Sequence, residues 1–207
     1  MEVINRMAII GRDGLFTPTF LRWLEEQNNS VALETAKPGN SEFRSHIFLE
    51  PSATIKCYSL DEVTGCLKEL EYAVKQGLYV AGFMSYELGY AFEEICSTGF
   101  SFSGPLMWFG VYEEPLIYNH RSKIFEMGEE RALRIVENVK DLQYHPTVRE
   151  IASSPSINEK EFHRALLQIK KNIRDGNTYQ VNFSFKLKFP WEHCRTDLYC
   201  QLRNSQR

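Results

Sequence analysis

GNTYQVNFSFKLKF, residues 176–189, carries the clearest pattern in the chain and decides the fold expected for it. From Tyr179 to Phe189 every second residue is apolar or aromatic, and the residues between them are polar. Because the side chains of a strand alternate between its two faces, this pattern predicts a β-strand with its apolar face on a core. The polar row, which includes Asn182, would face either water or a ligand cavity.

Helices are predicted by their start and stop signals. A capping residue, often followed by Glu at the third helical position, satisfies the free N–H groups of a first turn, and a glycine often ends the last turn. Apolar residues at helical spacing follow each start. The predicted helices are a short one from Thr17-Pro18, one from Ser59 and Glu62 to Gly77, one from Asn158 and Glu161 to Gly176, and one beginning near residue 196.

Residues 31–40 predict a short strand running into a Pro-Gly turn, and residues 45–58 predict one or two strands because Pro51 interrupts the run. Further strands are predicted at residues 78–84 and 107–114, with a hairpin at 115–127. Residues 78–84 are apolar on both faces, which predicts a buried strand. We interpret residues 144–158, which contain several Ser and Pro residues, as a linker between two structural units. The whole pattern predicts an α+β fold with layered antiparallel β-sheets and packed helices.

Composition excludes several classes of protein. The chain has 207 residues, 43% of them hydrophobic, which is enough for a sizeable core, and its formal charge of -3 argues against nucleic acid or an anionic membrane as the main partner. No apolar run approaches the ~18 residues of a membrane span, and no signal peptide is recognisable. The five cysteines form no CxxC pair, which indicates free thiols in a reducing compartment. We therefore predict a cytoplasmic protein.

Common catalytic motifs are missing. The chain contains no GxGxxG, GxxxxGK[ST], HExxH or GxSxG sequence. Its five histidines are scattered, with no pair at i, i+4 spacing. The residues by themselves therefore predict a soluble α+β protein for which no catalytic residue and no metal ligand can be assigned.

Three stretches together resemble aminodeoxychorismate synthase component I, the para-aminobenzoate branch of the chorismate-utilising enzymes, in both order and spacing. The resemblance runs from about residue 31 to residue 207, and the helix-Gly-x-x-Tyr-Gln-Val-Asn segment is its most specific part. The stretches are VALETAKPGNSEFRSHIFLEP (31–51), GLYVAGFMSYELGYAFE (77–93) and FHRALLQIKKNIRDGNTYQVNFSFKL (162–187).

The resemblance implies an incomplete chorismate-binding-enzyme fold. Residues 1–30 would be an N-terminal extension outside it, residues 31–150 an N-terminal domain, and residues 151–207 the start of a truncated chorismate-binding domain. In the family, the residues that bind chorismate and Mg²⁺, and a Pro-Ile-Lys-Gly-Thr segment, lie farther downstream. We therefore expect this chain alone to be inactive, with a possible complementary C-terminal chain supplying the catalytic residues.

The resemblance also implies an amino-acid pocket in the N-terminal domain, which binds tryptophan in related enzymes. Glu34, Thr35 and Ser45 would supply an acceptor for the ligand's ammonium and donors for its carboxylate. Thr35 replaces the usual Ser of the family motif, and Ala32 replaces a Leu, which would loosen the pocket wall. The predicted pocket residues are Leu33, Glu34, Thr35, Arg44, Ser45, Tyr179 and Asn182.

The complete enzyme implied by the resemblance converts chorismate and ammonia or glutamine nitrogen to 4-amino-4-deoxychorismate for folate synthesis. It would use Mg²⁺ and a glutamine amidotransferase subunit. Two alternatives stay open: a non-catalytic amino-acid-binding or interaction module, and a fragment of anthranilate synthase component I, which makes a different product from chorismate.

Overall fold

The computed structural model describes residues 15–93, 103–139, 142–147, 150 and 152–206. The helices are α1 (Pro18–Glu25), α2 (Val63–Lys75), α3 (Glu129–Val139), α4 (Glu159–Arg174) and α5 (Arg195–Ser205), with 3₁₀ turns at Leu60–Glu62 and Tyr86–Ala91. The strands are β1 (Val31–Leu33), β2 (Arg44–Phe48), β3 (Ala53–Cys57), β4 (Tyr79–Met84), β5 (Met107–Tyr112), β6 (Leu116–Asn119), β7 (Ile124–Met127), β8 (Ser154–Pro155) and β9 (Leu187–Lys188).

The helix starts follow the predicted capping signals. Thr17 Oγ1 accepts a hydrogen bond from the Phe20 N–H at 3.1 Å, and Pro18 opens α1. At α4, Asn158 and Glu161 form both hydrogen bonds of a capping box, at 3.0 and 2.8 Å. No helix in the described ranges has the length and apolar character needed to cross a membrane.

The strands form antiparallel sheets that place the N-terminal residues beside the middle of the chain. One sheet has the order β1-β2-β6-β7, a second has the order β3-β5-β4, and β8 pairs with β9. The predicted hairpin at residues 115–127 is confirmed as β6 and β7. This arrangement of antiparallel sheets and packed helices confirms the predicted α+β class.

Each of the larger sheets packs helices against its own hydrophobic core. The first core joins α1, α3 and α5 to the sheet that contains β2 and β6, and the second joins α2 to β3 and β5. Residues 15–24 contribute Leu15, Phe16, Phe20, Leu21 and Leu24 to the first core. Part of the predicted N-terminal extension is therefore packed into the same core as the sheet.

The strand predicted from the opening stretch is wrong over most of its length. Only Leu187–Lys188 is in a strand, paired with Ser154–Pro155, and residues 179–186 have no regular secondary structure. The apolar row does not face a core. Its least exposed member, Phe183, is 38% exposed, and its most exposed member, Tyr179, is 93% exposed. A strand forms only where its backbone N–H and C=O groups pair with a neighbouring strand. Among the described residues, such a neighbour exists only for Leu187–Lys188, which are β9.

At residues 78–84 the predicted strand is confirmed, but its predicted burial is wrong. β4 lies at the edge of its sheet, and within the described part of the chain it pairs with β5 alone. Ala81 is its one buried residue, and Phe83 is 49% exposed. An apolar run does not distinguish a central strand from an edge strand, because position in the sheet is set by pairing with distant strands.

The sequence patterns above predict no helix at residues 129–139, where the structure has α3. The helix begins with charged residues. They precede an apolar stripe at i, i+3, i+4 and i+7 that begins at Ala132 and ends at Val139. Both of these residues are buried in the first core, with Ile135 and Val136 packed against it. The helical spacing of these four residues is the signal that would have found it.

Candidate functional site

The predicted pocket residues that follow β1 and open β2 come together beside α5. Leu33 ends β1 opposite His46 of β2, so Glu34 and Thr35 leave the sheet next to Ser45. Tyr199 and Arg203, one helical turn apart on α5, reach the same place. The site is therefore built by the sheet from one side and by α5 from the other.

Glu34 is the centre of this site. Its Oε1 lies 2.8 Å from Nη2 of Arg203, and its Oε2 accepts a hydrogen bond from the Tyr199 hydroxyl. The side chains of Glu34 and Arg203 are 3% and 10% exposed, so this ion pair is almost excluded from water. Burial, and then the hydrogen bond to Glu34, raise the pKa of Tyr199, which keeps its hydroxyl protonated as a donor.

Thr35 and Ser45 form a second hydrogen-bonded group. The Thr35 N–H donates to Ser45 Oγ at 2.9 Å, and the Thr35 hydroxyl donates to the Arg44 carbonyl at 2.7 Å. Ser45 is fully buried, and its Oγ lies 2.7 Å from Nε2 of His120. These contacts fix the backbone next to Glu34 and leave both hydroxyls already engaged.

Arg44 points to the other edge of the sheet. Its guanidinium pairs with Glu126 of β7, with Nη2 3.2 Å from Oε1, and lies 4.6 Å from the centroid of the Phe43 ring. Hydrogen bonds from Arg44 and then from Asn119 lower the pKa of Glu126. The Arg44 side chain therefore links β2 to β7 across β6, and Glu126 neutralises its charge.

Tyr179 and Asn182 lie on the exposed segment that precedes β9. Tyr179 is 93% exposed, and Asn182 is exposed as well. The described contacts of this segment are made with residues 154–162, including Phe162 against Phe183 with ring centroids 5.8 Å apart. The structure thus brings Leu33, Glu34, Thr35 and Ser45 together around β1 and β2, turns the Arg44 side chain toward β7, and places Tyr179 and Asn182 on a different segment.

Sequence reasoning missed Tyr199 and Arg203, the two α5 residues that contact Glu34. Their i, i+4 spacing places them on one face of a helix. That spacing can be read from the sequence, but it does not indicate that Glu34 is the residue they contact. The contact joins parts of the chain that are far apart in sequence, and only the packing of α5 against the first sheet reveals it.

A groove of about 220 Å³ lies between α1, β1 and α5, directly beside this site. Tyr199 lines it, and the hydroxyl of the same side chain bonds to Glu34, whose own carboxylate is buried and does not line the groove. Ala32 lines it as well, where the larger Leu of the family motif would fill part of the volume. The groove is lined by the apolar Leu21 and Leu24 and by five residues with polar groups, Glu25, Ser30, Arg195, Thr196 and Tyr199.

A magnesium site does not fit the residues described here. In the described ranges no group of three His, Cys, Asp or Glu side chains is close enough to hold a metal ion. Glu25, Glu34 and Glu126 are each paired with arginine. No residue of these ranges is therefore assigned to Mg²⁺.

His120 gives the site a predicted pH dependence. Burial, and then the charge of Arg203, lower the pKa of His120 below 6.5, so the folded chain favours the neutral ring. The unfolded chain takes up a proton near pH 6.5, and the stability tied to the neutral ring is lost as the pH falls below that value. We expect the melting temperature to fall between pH 7 and pH 5.5, and to fall less in His120→Gln.

His163 supplies the control for this measurement. It lies exposed on α4, 3.6 Å from Glu159. His163→Gln should leave the pH dependence of the wild-type chain unchanged. If the melting temperature of His120→Gln fell with pH as much as that of wild type, His120 would not be the source of the pH dependence.

Comparison with known proteins agrees with this fold. The sequence profile of the family described as chorismate binding enzyme matches residues 28–207. Anthranilate synthase component 1 3 from Haloarcula marismortui is 29% identical over 133 residues, covering 53% of this chain and 26% of that protein. Anthranilate synthase component I from Streptococcus pneumoniae TIGR4 superposes with a TM-score of 0.59 at 17% identity, over 95% of this chain and 52% of that one.

The chain belongs to the chorismate-binding enzyme family, because the family profile covers most of its length. It spans about half the length of the Streptococcus pneumoniae structure and about a quarter of the Haloarcula marismortui relative. The structural match at 17% identity supports the fold alone.

Proposed function

We propose that this chain is the N-terminal part of an aminodeoxychorismate synthase component I. The observation that carries the proposal is the family match over residues 28–207. Within that family, Ser85-Tyr86-Glu87 and the Tyr-Gln-Val-Asn segment at residues 179–182 resemble the para-aminobenzoate branch. The complete enzyme would replace the chorismate hydroxyl with an amino group, taking nitrogen from ammonia or from a glutamine amidotransferase subunit.

Anthranilate synthase component I is the second candidate. The Haloarcula marismortui and Streptococcus pneumoniae proteins both carry that name, which favours it. Either reaction needs acid–base groups and a carboxylate-bound Mg²⁺ held around the chorismate ring. We expect a C-terminal portion of the enzyme to supply those groups. The present chain alone should not convert chorismate faster than the uncatalysed reaction.

We further propose that Glu34 and the adjoining groove bind an amino acid. Thr35 and Ser45 already use their hydroxyls within the sheet, and Glu34, which the resemblance assigns to the ligand's ammonium, would have to release Arg203 or Tyr199 to receive it. The apolar walls of the groove suit an apolar side chain. Tyr179 and Asn182 would contribute once residues 177–186 fold against the sheet.

The product made from chorismate tests the proposed reaction. The DNA beyond the Arg207 codon is read in all three forward frames for a Pro-Ile-Lys-Gly-Thr segment, and the encoded portion is co-expressed with this chain. Chorismate, Mg²⁺ and an ammonium salt are added, and the products are separated by liquid chromatography. We expect 4-amino-4-deoxychorismate from the pair and none from the chain alone.

Other outcomes separate the alternatives. Anthranilate as the product would establish the second candidate. Unrelated downstream DNA, together with tryptophan binding by this chain alone, would favour the non-catalytic binding module. Absence of either product from a folded, co-purified pair would refute the proposed class of reaction.

A further inference from the structure

A second pocket lies at the opposite end of the β1–β2 pair from Glu34. It has a volume of about 370 Å³ and is formed by α1 and the residues after it, the residues that follow β2, and α3. Val31, which begins β1, is paired with Phe48, which ends β2. Glu50 therefore leaves the sheet at the end away from Glu34. None of the residues that line this pocket belongs to the Glu34 site or to the groove beside it.

Three apolar side chains line the pocket: Trp23 of α1, Leu49, and Ile135 of α3. The Trp23 ring packs on Phe20 with ring centroids 5.6 Å apart. The Trp23 carbonyl accepts a hydrogen bond from Gln27 Nε2 at 3.1 Å. These contacts hold the indole at the pocket, where it offers an apolar surface to a planar ring.

The charged lining residues carry one surplus positive charge. They are Glu50 and, on α3, Arg131 and Arg134. The two arginines are three residues apart, so they lie on one face of the helix. Arg134 is only weakly paired, because its Nη1 lies 4.0 Å from Glu130 Oε2 and both of these side chains are exposed. Its guanidinium is therefore free to turn to an anion in the pocket.

Glu50 shows that a carboxylate fits against Arg131. Its Oε2 lies 2.7 Å from Arg131 Nη2, and its backbone φ is 55°, in the left-handed region that a residue with a side chain adopts at a cost. The Glu50 side chain is 87% exposed. An ion pair with so exposed a partner contributes little stability, so a ligand carboxylate can take the place of Glu50 on Arg131.

We propose that this pocket binds a small aromatic carboxylate. Its ring packs against Trp23, and its carboxylate binds Arg134 and, in place of Glu50, Arg131. A surplus of one positive charge suits a carboxylate, which carries one negative charge, better than a phosphate that carries about two. A volume of about 370 Å³ is small for a ligand site, which suits a single ring.

The test is an NMR titration of the whole chain with benzoate, followed through the indole N–H signals of Trp23, Trp108 and Trp191. Trp23→Phe assigns the signal at the pocket, and the other two tryptophans are internal controls. We expect the Trp23 signal alone to move, and to reach saturation. Benzamide, the uncharged analogue, and acetate, which lacks the ring, should each bind at least about tenfold more weakly.

Substitutions of exposed side chains test the charged groups. Arg134→Gln should weaken benzoate binding at least about fivefold, and Glu50→Gln should strengthen it about threefold by removing the carboxylate that occupies Arg131. Arg164→Gln on α4 is the matched control and should bind like wild type. Glu50, Arg134 and Arg164 are all exposed, so these variants are expected to fold.

Several results would overturn the proposal. One is a Trp23 signal that stays in place at about 20 mM benzoate, and another is an equal shift of all three indole signals. Equal affinity for benzoate and benzamide would also overturn it, because the arginines would then not recognise the ligand's charge. So would an equal loss of affinity in Arg134→Gln and Arg164→Gln, since the effect of the charge would not depend on its place in the pocket.

Discussion

Gly82→Ala is expected to destabilise the chain by more than about 3 kcal/mol, or to prevent folding. Gly82 lies on β4 opposite Phe109 of β5. A Cβ at this position would lie 2.0 Å from the Trp108 carbonyl oxygen and 2.7 Å from the Phe109 Cα. These are backbone atoms of the paired strand, so relief of the clash requires the two strands to separate.

Urea unfolding measures this effect, and Gly65→Ala is its matched control. Gly65 lies within α2, and a Cβ there would meet nothing within 4 Å. Alanine also favours a helix over glycine, so we expect Gly65→Ala to add roughly 0.5–1 kcal/mol of stability. A Gly82→Ala variant within 0.5 kcal/mol of wild type would disprove the close approach of β4 and β5.

Glu25→Gln is expected to cost about 1–3 kcal/mol at neutral pH by releasing the start of α5 from α1. Glu25 accepts hydrogen bonds from four donors: Arg22 Nη1 at 3.0 Å, Cys194 Sγ at 2.9 Å, Thr196 Oγ1 at 2.8 Å and the Arg195 N–H at 3.2 Å. Three of these donors belong to the first turn of α5 or its cap. A neutral amide accepts fewer and weaker bonds than the carboxylate.

The same carboxylate predicts an acid-sensitive contact. Partial burial acts to raise the pKa of Glu25, but the hydrogen bonds from Cys194, Thr196 and Arg22 outweigh it and lower the pKa to about 2. The unfolded chain takes up this proton near pH 4.5, so the contribution is complete above that pH and is lost as the pH falls toward about 2. Glu25→Gln should lack this loss.

Melting temperatures at pH 7, 4 and 3 test both statements. Glu26→Gln is the control, because Glu26 is 59% exposed and its described partner is Arg22 alone, at 3.3 Å. We expect it to change stability by less than about 0.5 kcal/mol. Equal effects of the two substitutions would show that Glu25 does not hold α5.

Two acidic residues of the N-terminal region thus dock α5 at both of its ends. Glu25 binds its first turn and Glu34 binds Arg203 near its last turn. Cys200, between them, is buried in the first core. Although the family resemblance assigns residues 151–207 to the start of another domain, α5 packs on the sheet that carries the proposed amino-acid pocket.

Local chemistry made part of this fold predictable. The capping residues Thr17, Ser59 and Asn158 start helices where expected, because a cap acts within three residues of itself. The hairpin at residues 115–127 was predictable for the same reason, since its strands are joined by a short turn. The family resemblance predicted Glu34 and Ser45 as pocket residues.

The remainder required the tertiary structure, because it depends on residues that are distant along the chain. Residues 179–189 alternate as a strand should, yet pairing decides whether a strand forms, and β8 meets only Leu187–Lys188. β4 was predicted as a strand, but its place at a sheet edge is set by β5. Glu34 was visible as an acid near β1. Its burial against Arg203 follows from the packing of α5, and no local pattern encodes that contact.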